Sequence, residues 1–237
     1  MKAICFREVK TFFSSLIGYL VIAVFLLVNG LLLWFFDGDY NVLQSGFADL
    51  SPFFVLAPWV LIFLVSAVTM RSFSEEIKQG TIELLLTKPL STWQIVLGKF
   101  FGILLLCLIA IVPTLVYIFV VNNYLLPNQI FDFGSIIGSY FGLCFLASSY
   151  ISIGLFCSSL TNNQIVAFII SVVICVILSV GIFQLAGISS FVEQLGVEYH
   201  FRSISKGVID TRDLLYFISL SGLFLGLTVF KINNIRK

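Results

Sequence analysis

Charge is scarce in this chain: 11% of its 237 residues are Asp, Glu, Lys or Arg, there is a single histidine, and the net charge is +1. The basic residues are spread along the sequence instead of forming a patch, which excludes the electrostatic footprint of a nucleic-acid binder. Five cysteines, Cys5, Cys107, Cys144, Cys157 and Cys175, show no CxxC spacing and are odd in number. They exclude a complete disulfide framework and read as reduced, buried thiols. His200 stands alone without further ligands, so neither a metal centre nor a cofactor is expected, and it reads as an ordinary surface residue. Paired carboxylates or a Ser/His couple in register are missing, which argues against a membrane-embedded enzyme. So is a G-x-x-x-x-G-K-[ST] run: Gly98-Lys99 lacks the upstream glycine and the following Ser or Thr.

What is abundant is apolar surface. Hydrophobic residues make up 59% of the chain, 26 of them Phe, and the mean hydropathy is +1.10, the composition of an integral membrane protein. A crossing needs about 20 apolar residues for a hydrocarbon core of about 30 Å. Uncharged runs extend from Thr11 to Phe36, Leu50 to Met70, Phe100 to Phe131, Phe133 to Val192 and Leu214 to Phe230. The fourth is long enough for two crossings and is interrupted at the polar stretch from Cys157 to Gln164, where Thr161 and Gln164 have capping-box spacing. The expectation is an all-α polytopic protein, one transmembrane domain over residues 1–237. Its spans fall near 14–36, 51–70, 100–121, 134–157, 164–187 and 214–231, with a charged loop at 71–99 and a further loop at 188–213. The first apolar run is too long for a signal-peptide core and no small-residue cleavage site follows, so it reads as an uncleaved first span. Residues 1–13 place Cys5, Val9, Phe12 and Leu16 on one helical face and Arg7, Lys10 and Ser14 on the other. They form either an amphipathic elbow helix on the membrane or merely the basic flank of the first span.

Ten of the thirteen basic residues fall outside the spans on one side, in the N-terminal segment, the 71–99 loop and the tail; only Arg202, Lys206 and Arg212 fall on the other. Both termini are therefore expected in the cytoplasm. None of the uncharged runs contains an ionisable Asp, Glu, Lys, Arg or His, which weighs against proton relays and ion-coupled transport. Polar groups such as Asn29, Ser66, Thr69, Ser171, Ser179 and Gln184 read first as helix–helix hydrogen bonds. Gly134, Gly138 and Gly142 recur every fourth residue and permit close approach, either within the bundle or between subunits. Pro58 and Pro113 are hinges or static bends.

The loop at 71–99 has local logic of its own. Gly80 permits a tight turn, Thr81 to Leu86 suits a short helix, Pro89 stops it, and Ser91 with Gln94 caps the next span. Leu84, Leu85 and Leu86 between charged neighbours call for a partner to bury them. The string Glu75-Glu76-Ile-Lys-Gln-Gly80-Thr81-Ile-Glu83-Leu84-Leu85-Leu86-Thr-Lys-Pro89-Leu-Ser91, followed by Ile95-Val-Leu-Gly-Lys99, resembles the first cytoplasmic loop of ABC-2 type ABC-transporter permeases. The resemblance implies that Glu75, Glu76, Gly80, Thr81, Glu83, Leu84 to Leu86 and Pro89 couple the bundle to a cytoplasmic ABC ATPase, with ATP hydrolysed on that partner.

The segment from Glu193 to Asp213 holds seven charged residues and His200. Glu198, His200 and Arg202 alternate with Val197, Tyr199 and Phe201, a sign of a two-faced interfacial or re-entrant element lying against spans five and six. Asp210 is placed to cap the last span. His200, Arg202, Gly207, Asp210, Arg212 and Asp213 belong to a string that is similar to the corresponding external loop of ABC-2 permeases, most of all those of gliding-motility systems in the Bacteroidetes. What this implies is a multi-pass subunit of the bacterial inner membrane, embedded in the lipid bilayer and paired with a second permease copy or a related membrane subunit, serving ATP-driven export. The resemblance places that export in gliding motility; the alternatives are a transport-inactive scaffold of a motility or secretion complex with the same ATPase-docking loop, or a permease for another ABC-2 substrate.

Overall fold

A computed structural model describes residues 2–42, 49–86, 90–123, 132–182, 194–207 and 210–235, the side chains at 17 and 84–86 excepted. All regular structure among the described residues is helical. A short helix, α1 (Lys2–Phe13), turns sharply into α2 (Leu16–Trp34). The bend between them is 74°, and Gly18 makes it possible, because a Cβ there would lie 2.4 Å from the Phe12 carbonyl oxygen. α1 therefore lies across the foot of α2. Its inward side carries Ile4 and Glu8 with Val9 and Phe12, while Leu16, expected on that face, is 81% exposed because it belongs to the next helix.

The bundle continues with α3 (Ser51–Thr69), α4 (Ser74–Lys78), α5 (Thr81–Leu86) and α6 (Thr92–Ile111). A 3₁₀ turn at Val112–Leu115 leads into α7 (Val116–Asn123), then come α8 (Phe133–Leu160) and α9 (Gln164–Val176), which runs on as a π-helical turn at Ile177–Gly181. The last two are α10 (Val197–Ser205) and α11 (Thr211–Ile235). Five stretches are long and apolar enough to cross a membrane, and the bent α1–α2 pair brings the candidates to six. Pro113 sits in the 3₁₀ turn, where its missing N–H breaks the third crossing into two helical pieces. Pro58 lies inside α3.

Helix boundaries extend past the uncharged runs. α6 begins at Thr92, so Lys99 lies within a helix and is buried, although it was assigned to the preceding loop. Ser91 and Gln94 form a reciprocal capping box there. The expected Thr161/Gln164 box is not formed: Asn163 caps α9 through Ile165 N–H, and Thr161 accepts from Asn163 N–H instead.

α8 is the axis of the bundle. About 72% of its apolar stretch is buried, against 22% for α9, whose Ile165, Ile169, Val173 and Ile177 form an exposed stripe one turn apart. Ser66 and Ser171 hydrogen-bond at 2.9 Å between α3 and α9. Asn29, Thr69 and Ser179 donate to backbone carbonyls four residues earlier in their own helices; Gln184 lies outside the described residues. All five cysteines are free thiols, and Cys107, Cys157 and Cys175 are buried.

Candidate functional site

The segments that carry most of the basic residues converge at one end of the bundle. α1 packs on α6 at Gly102, where a Cβ would come within 2.9 Å of Glu8 Cβ. Thr92, at the start of α6, donates at 2.6 Å to Asn233 near the end of α11. Ser158, near the end of α8, accepts from the N–H groups of Phe73 and Ser74 at 2.8 and 3.2 Å, holding the orphan donors that begin α4. Residues 71–86 are thus fastened to α8 at their start.

Lys99 joins these parts. Its side chain is 1% exposed, and its ammonium meets three oxygens: it donates to Glu8 Oε1 at 3.0 Å and to the Ser72 carbonyl at 2.7 Å, and lies 3.0 Å from Glu76 Oε1 in an ion pair. The ammonium also lies 4.9 Å from the centre of the Phe73 ring. Arg7 reaches the same two carboxylates, at 2.8 Å to Glu76 and 3.1 Å to Glu8. Burial pushes the Glu8 carboxyl up, but Lys99 and then Arg7 outweigh it and hold the group below its ordinary value of 4.5. The contribution of Glu8 to stability is therefore complete above that value and is lost as pH falls through the lowered one. Arg71 Nε, Ser72 Oγ and Glu76 Oε2 are buried without partners among the described residues. Their residues line an open cleft of about 440 Å³ between α1, α4 and the start of α5.

The expected short helix is present as α5, and a second one, α4, precedes it. Gly80 separates them at a φ of +68°, a backbone conformation that favours glycine. Glu75 accepts from Gln79 at 3.3 Å, Thr81 Oγ1 donates to the Glu76 carbonyl at 3.4 Å, and Glu83 is exposed on α5 beside buried Ile82. The side chains of Leu84, Leu85 and Leu86, and Pro89 altogether, lie outside the described residues. Of the described residues expected to couple the bundle to an ATPase, Glu76 alone enters the ion network. Arg7, Glu8, Ser72, Lys99 and Ser158 were not singled out as site residues, although a lone acid in α1 and a lone cation in apolar α6 were visible.

At the far end, α10 is a helix whose Val197, His200, Phe201 and Ile204 face inward at i, i+3, i+4 and i+7. The two-residue alternation read from the sequence was the wrong period. α10 packs chiefly on α8, with lesser contact to α11 and the π-helical turn, so the fourth crossing, and not only the fifth and sixth, supports it. The glycine stripe is the reason: a Cβ at Gly138 would stand 3.0 Å from the Ile204 carbonyl, and one at Gly142 would stand 3.2 Å from Phe201. Gly207, at a φ of +85°, lets the chain turn against Ser135, while Ser135 Oγ donates at 2.7 Å to the Ser205 carbonyl.

His200 is buried, not an ordinary surface residue. It lies 2.6 Å from Asp213 and 2.8 Å from the Gln194 carbonyl, and stacks at 4.0 Å on Tyr216. Arg202 pairs with Glu198 at 2.6 Å. Asp210 caps α11 through the Arg212 N–H at 3.0 Å, and Arg212 itself is exposed. Asp213 Oδ2 already lacks a partner among the described residues. His200→Ala is therefore expected to leave a buried carboxylate uncompensated and to loosen the docking of α10 by about 1–3 kcal/mol. Hydrogen exchange over residues 197–205 should then accelerate while α8 stays protected.

Comparison with known proteins bears on this arrangement. The chain is 35% identical over 105 residues to the probable multidrug ABC transporter permease YbhR of Escherichia coli K12, and equally to that of E. coli O157:H7. The match covers 44% of this chain but 27% of each relative, so the chain corresponds to about a quarter of their length. The family profile described as ABC-2 family transporter protein matches residues 52–194, from α3 through the 71–91 segment and past the fifth crossing to a point just before α10. With more than half of its length inside that match, the chain belongs to the ABC-2 family of transporter permeases.

Proposed function

We propose that the chain is the membrane half of an ATP-driven exporter and that α4 and α5 receive the push from a cytoplasmic ABC ATPase. The observation that carries this reading is the Lys99 network. A segment that merely balanced its charges in water would not tie Glu76 to Glu8 of α1 through a buried ammonium inside α6. Rigid linkage is what a lever between a soluble motor and a bundle requires. The neighbouring cleft, lined by Glu75, Gln79 and Thr81 among others, leaves polar surface for a docked partner.

In this reading α1, the 71–91 segment and both termini lie in the cytoplasm, the bundle sits in a bacterial inner membrane, and a second permease copy or related subunit covers part of the exposed apolar surface. The similarity to a probable multidrug permease makes drugs the first cargo to test. Service in gliding motility rests on the resemblance at residues 200–216 alone; a transport-inactive scaffold would use the same docking surface.

Affinity purification of the full chain in mild detergent should retain an ATPase carrying a P-loop. Exposed Glu83 is the substitution to make, because it leaves the Lys99 network untouched. Glu83→Arg should cut the retained ATPase about tenfold, as a misplaced interfacial charge does, with the chain still inserted. Wild-type retention would remove α5 as the docking element. ATP hydrolysis that responds to candidate cargo would favour the exporter over the scaffold.

A further inference from the structure

We propose that the chain binds the zwitterionic end of an amphiphile in a cavity at the far end, between α3, α8, the π-helical turn and α10. The proposal goes beyond the permease reading and does not rest on it. The cavity measures about 120 Å³, well short of the ~300–1,000 Å³ of a site that encloses a drug-sized molecule. It is closer to the ~150 Å³ that admits one benzene ring. Such a space seats one end of a longer molecule.

Three features define that end. Tyr150 lines the cavity and is 0% exposed, and its hydroxyl makes no well-formed hydrogen bond among the described residues, although Ser179, whose own proton goes to the Cys175 carbonyl, stands beside it. A buried hydroxyl is costly to leave in that state, so the site asks for a polar atom from an occupant. Glu198 and Arg202 contribute opposite charges side by side, with 24% and 56% of their side chains exposed, and Asp49 adds a second carboxylate. Carboxylates accept from an ammonium and a guanidinium fork donates to phosphate oxygens, which together match a zwitterionic phosphate ester. Ser51, Ser135, Ser139, Ser179 and Ser205 add hydroxyls, and the remaining lining is apolar, including Phe54, Ile62 and Phe201.

The exit for the apolar part is on α3. Val55 and Trp59 line the cavity and are 51% and 39% exposed, and Phe63, one turn further, is 52% exposed. A tail leaving over these residues runs along the helix surface toward the hydrocarbon.

The test uses the full chain in phosphatidylglycerol vesicles, with Trp34 and Trp93 replaced by Phe so that Trp59 is its only tryptophan and is excited apart from the tyrosines. Phosphatidylethanolamine brominated on its acyl chains is titrated in. Quenching should saturate at a low mole fraction, and brominated phosphatidylglycerol should quench only in proportion to its abundance. Tyr150→Phe and Arg202→Gln should each raise the half-saturation point about tenfold or more, the loss expected for one hydrogen bond to a charged group. Circular dichroism of each variant checks that the bundle is intact. Proportional quenching by both lipids, or saturation unchanged in both variants, would overturn the proposal; the second result would leave only water beside Tyr150. In the complex purified with its ATPase, quenching that persists through turnover assigns a resident lipid, and quenching that is lost on turnover assigns cargo. Both support the site. The titration needs no ATPase, so its failure and that of the exporter reading are separate results.

Discussion

Lys99→Met should uncouple α1 from the 71–86 segment and lower stability by about 3–5 kcal/mol, the cost of removing one partner from a buried ionic cluster. The variant leaves Glu8 and Glu76, 17% and 18% exposed, sharing one pocket with only Arg7, which is itself 44% exposed and screened by water. Two carboxylates at that spacing repel, and the half-exposed guanidinium cannot replace an ammonium that is 1% exposed. Thermal unfolding in detergent should shift downward. Cys5, whose backbone packs on Gly102, should react faster with a thiol reagent in a background lacking the other cysteines. A triple variant, Lys99→Met with Glu8→Gln and Glu76→Gln, removes the charges together and should recover most of the stability, since replacing a whole buried ion cluster is often close to neutral. It should remain defective in ATP-coupled transport, because the rigid tie is gone. No recovery in the triple variant would mean that lost packing, not charge, governs this site. Full coupling in the triple variant would make the network structural only.

The class of the fold was legible because membrane crossings are written in long uncharged runs, and α3, α8, α9 and α11 fall close to where those runs lie. The capping pair Ser91 and Gln94 and the glycine turn at Gly80 were equally local, each needing only neighbours three residues away. What remained hidden was set by contacts between segments distant in sequence. Glu8 and Lys99 are 91 residues apart and Ser158 lies 85 residues from Phe73, so no window along the chain could pair them. Lys99 was counted as one more charge at a membrane edge, when its solitary place among apolar residues was a hint of burial with a partner. His200 shows the same limit: a single histidine on a charged stretch reads as solvated until α10 turns it toward Asp213 and Tyr216. The glycine stripe on α8 was legible as a close approach, but the approaching partner, α10, was not.

Gly154→Val should be the most damaging substitution within the apolar core, and it should act on the coupling segment without touching it. A Cβ at Gly154 would lie 2.1 Å from Thr69 Oγ1 and 2.8 Å from Thr69 Cβ. Thr69 cannot simply rotate away, because it is fully buried and its hydroxyl donates to the Val65 and Ser66 carbonyls at 2.8 and 3.3 Å. α3 and α8 must therefore separate. Overpacking of this kind costs about 1–3 kcal/mol, and more where backbone has to move. One turn beyond Gly154, Ser158 holds the first N–H groups of α4, and α3 leads into α4 through residues 70–73. Prising α3 from α8 consequently pulls the 74–86 segment off its anchor. Hydrogen exchange over residues 73–78 should rise in Gly154→Val, to a smaller extent in Gly154→Ala, and the retained ATPase should fall with it. Gly222 on α11 is the control, since a Cβ there meets nothing within 4 Å; Gly222→Val should leave melting and exchange unchanged. Equal tolerance at positions 154 and 222 would show that α3 and α8 do not transmit strain to the coupling segment, and would point to Lys99 as the connection that does.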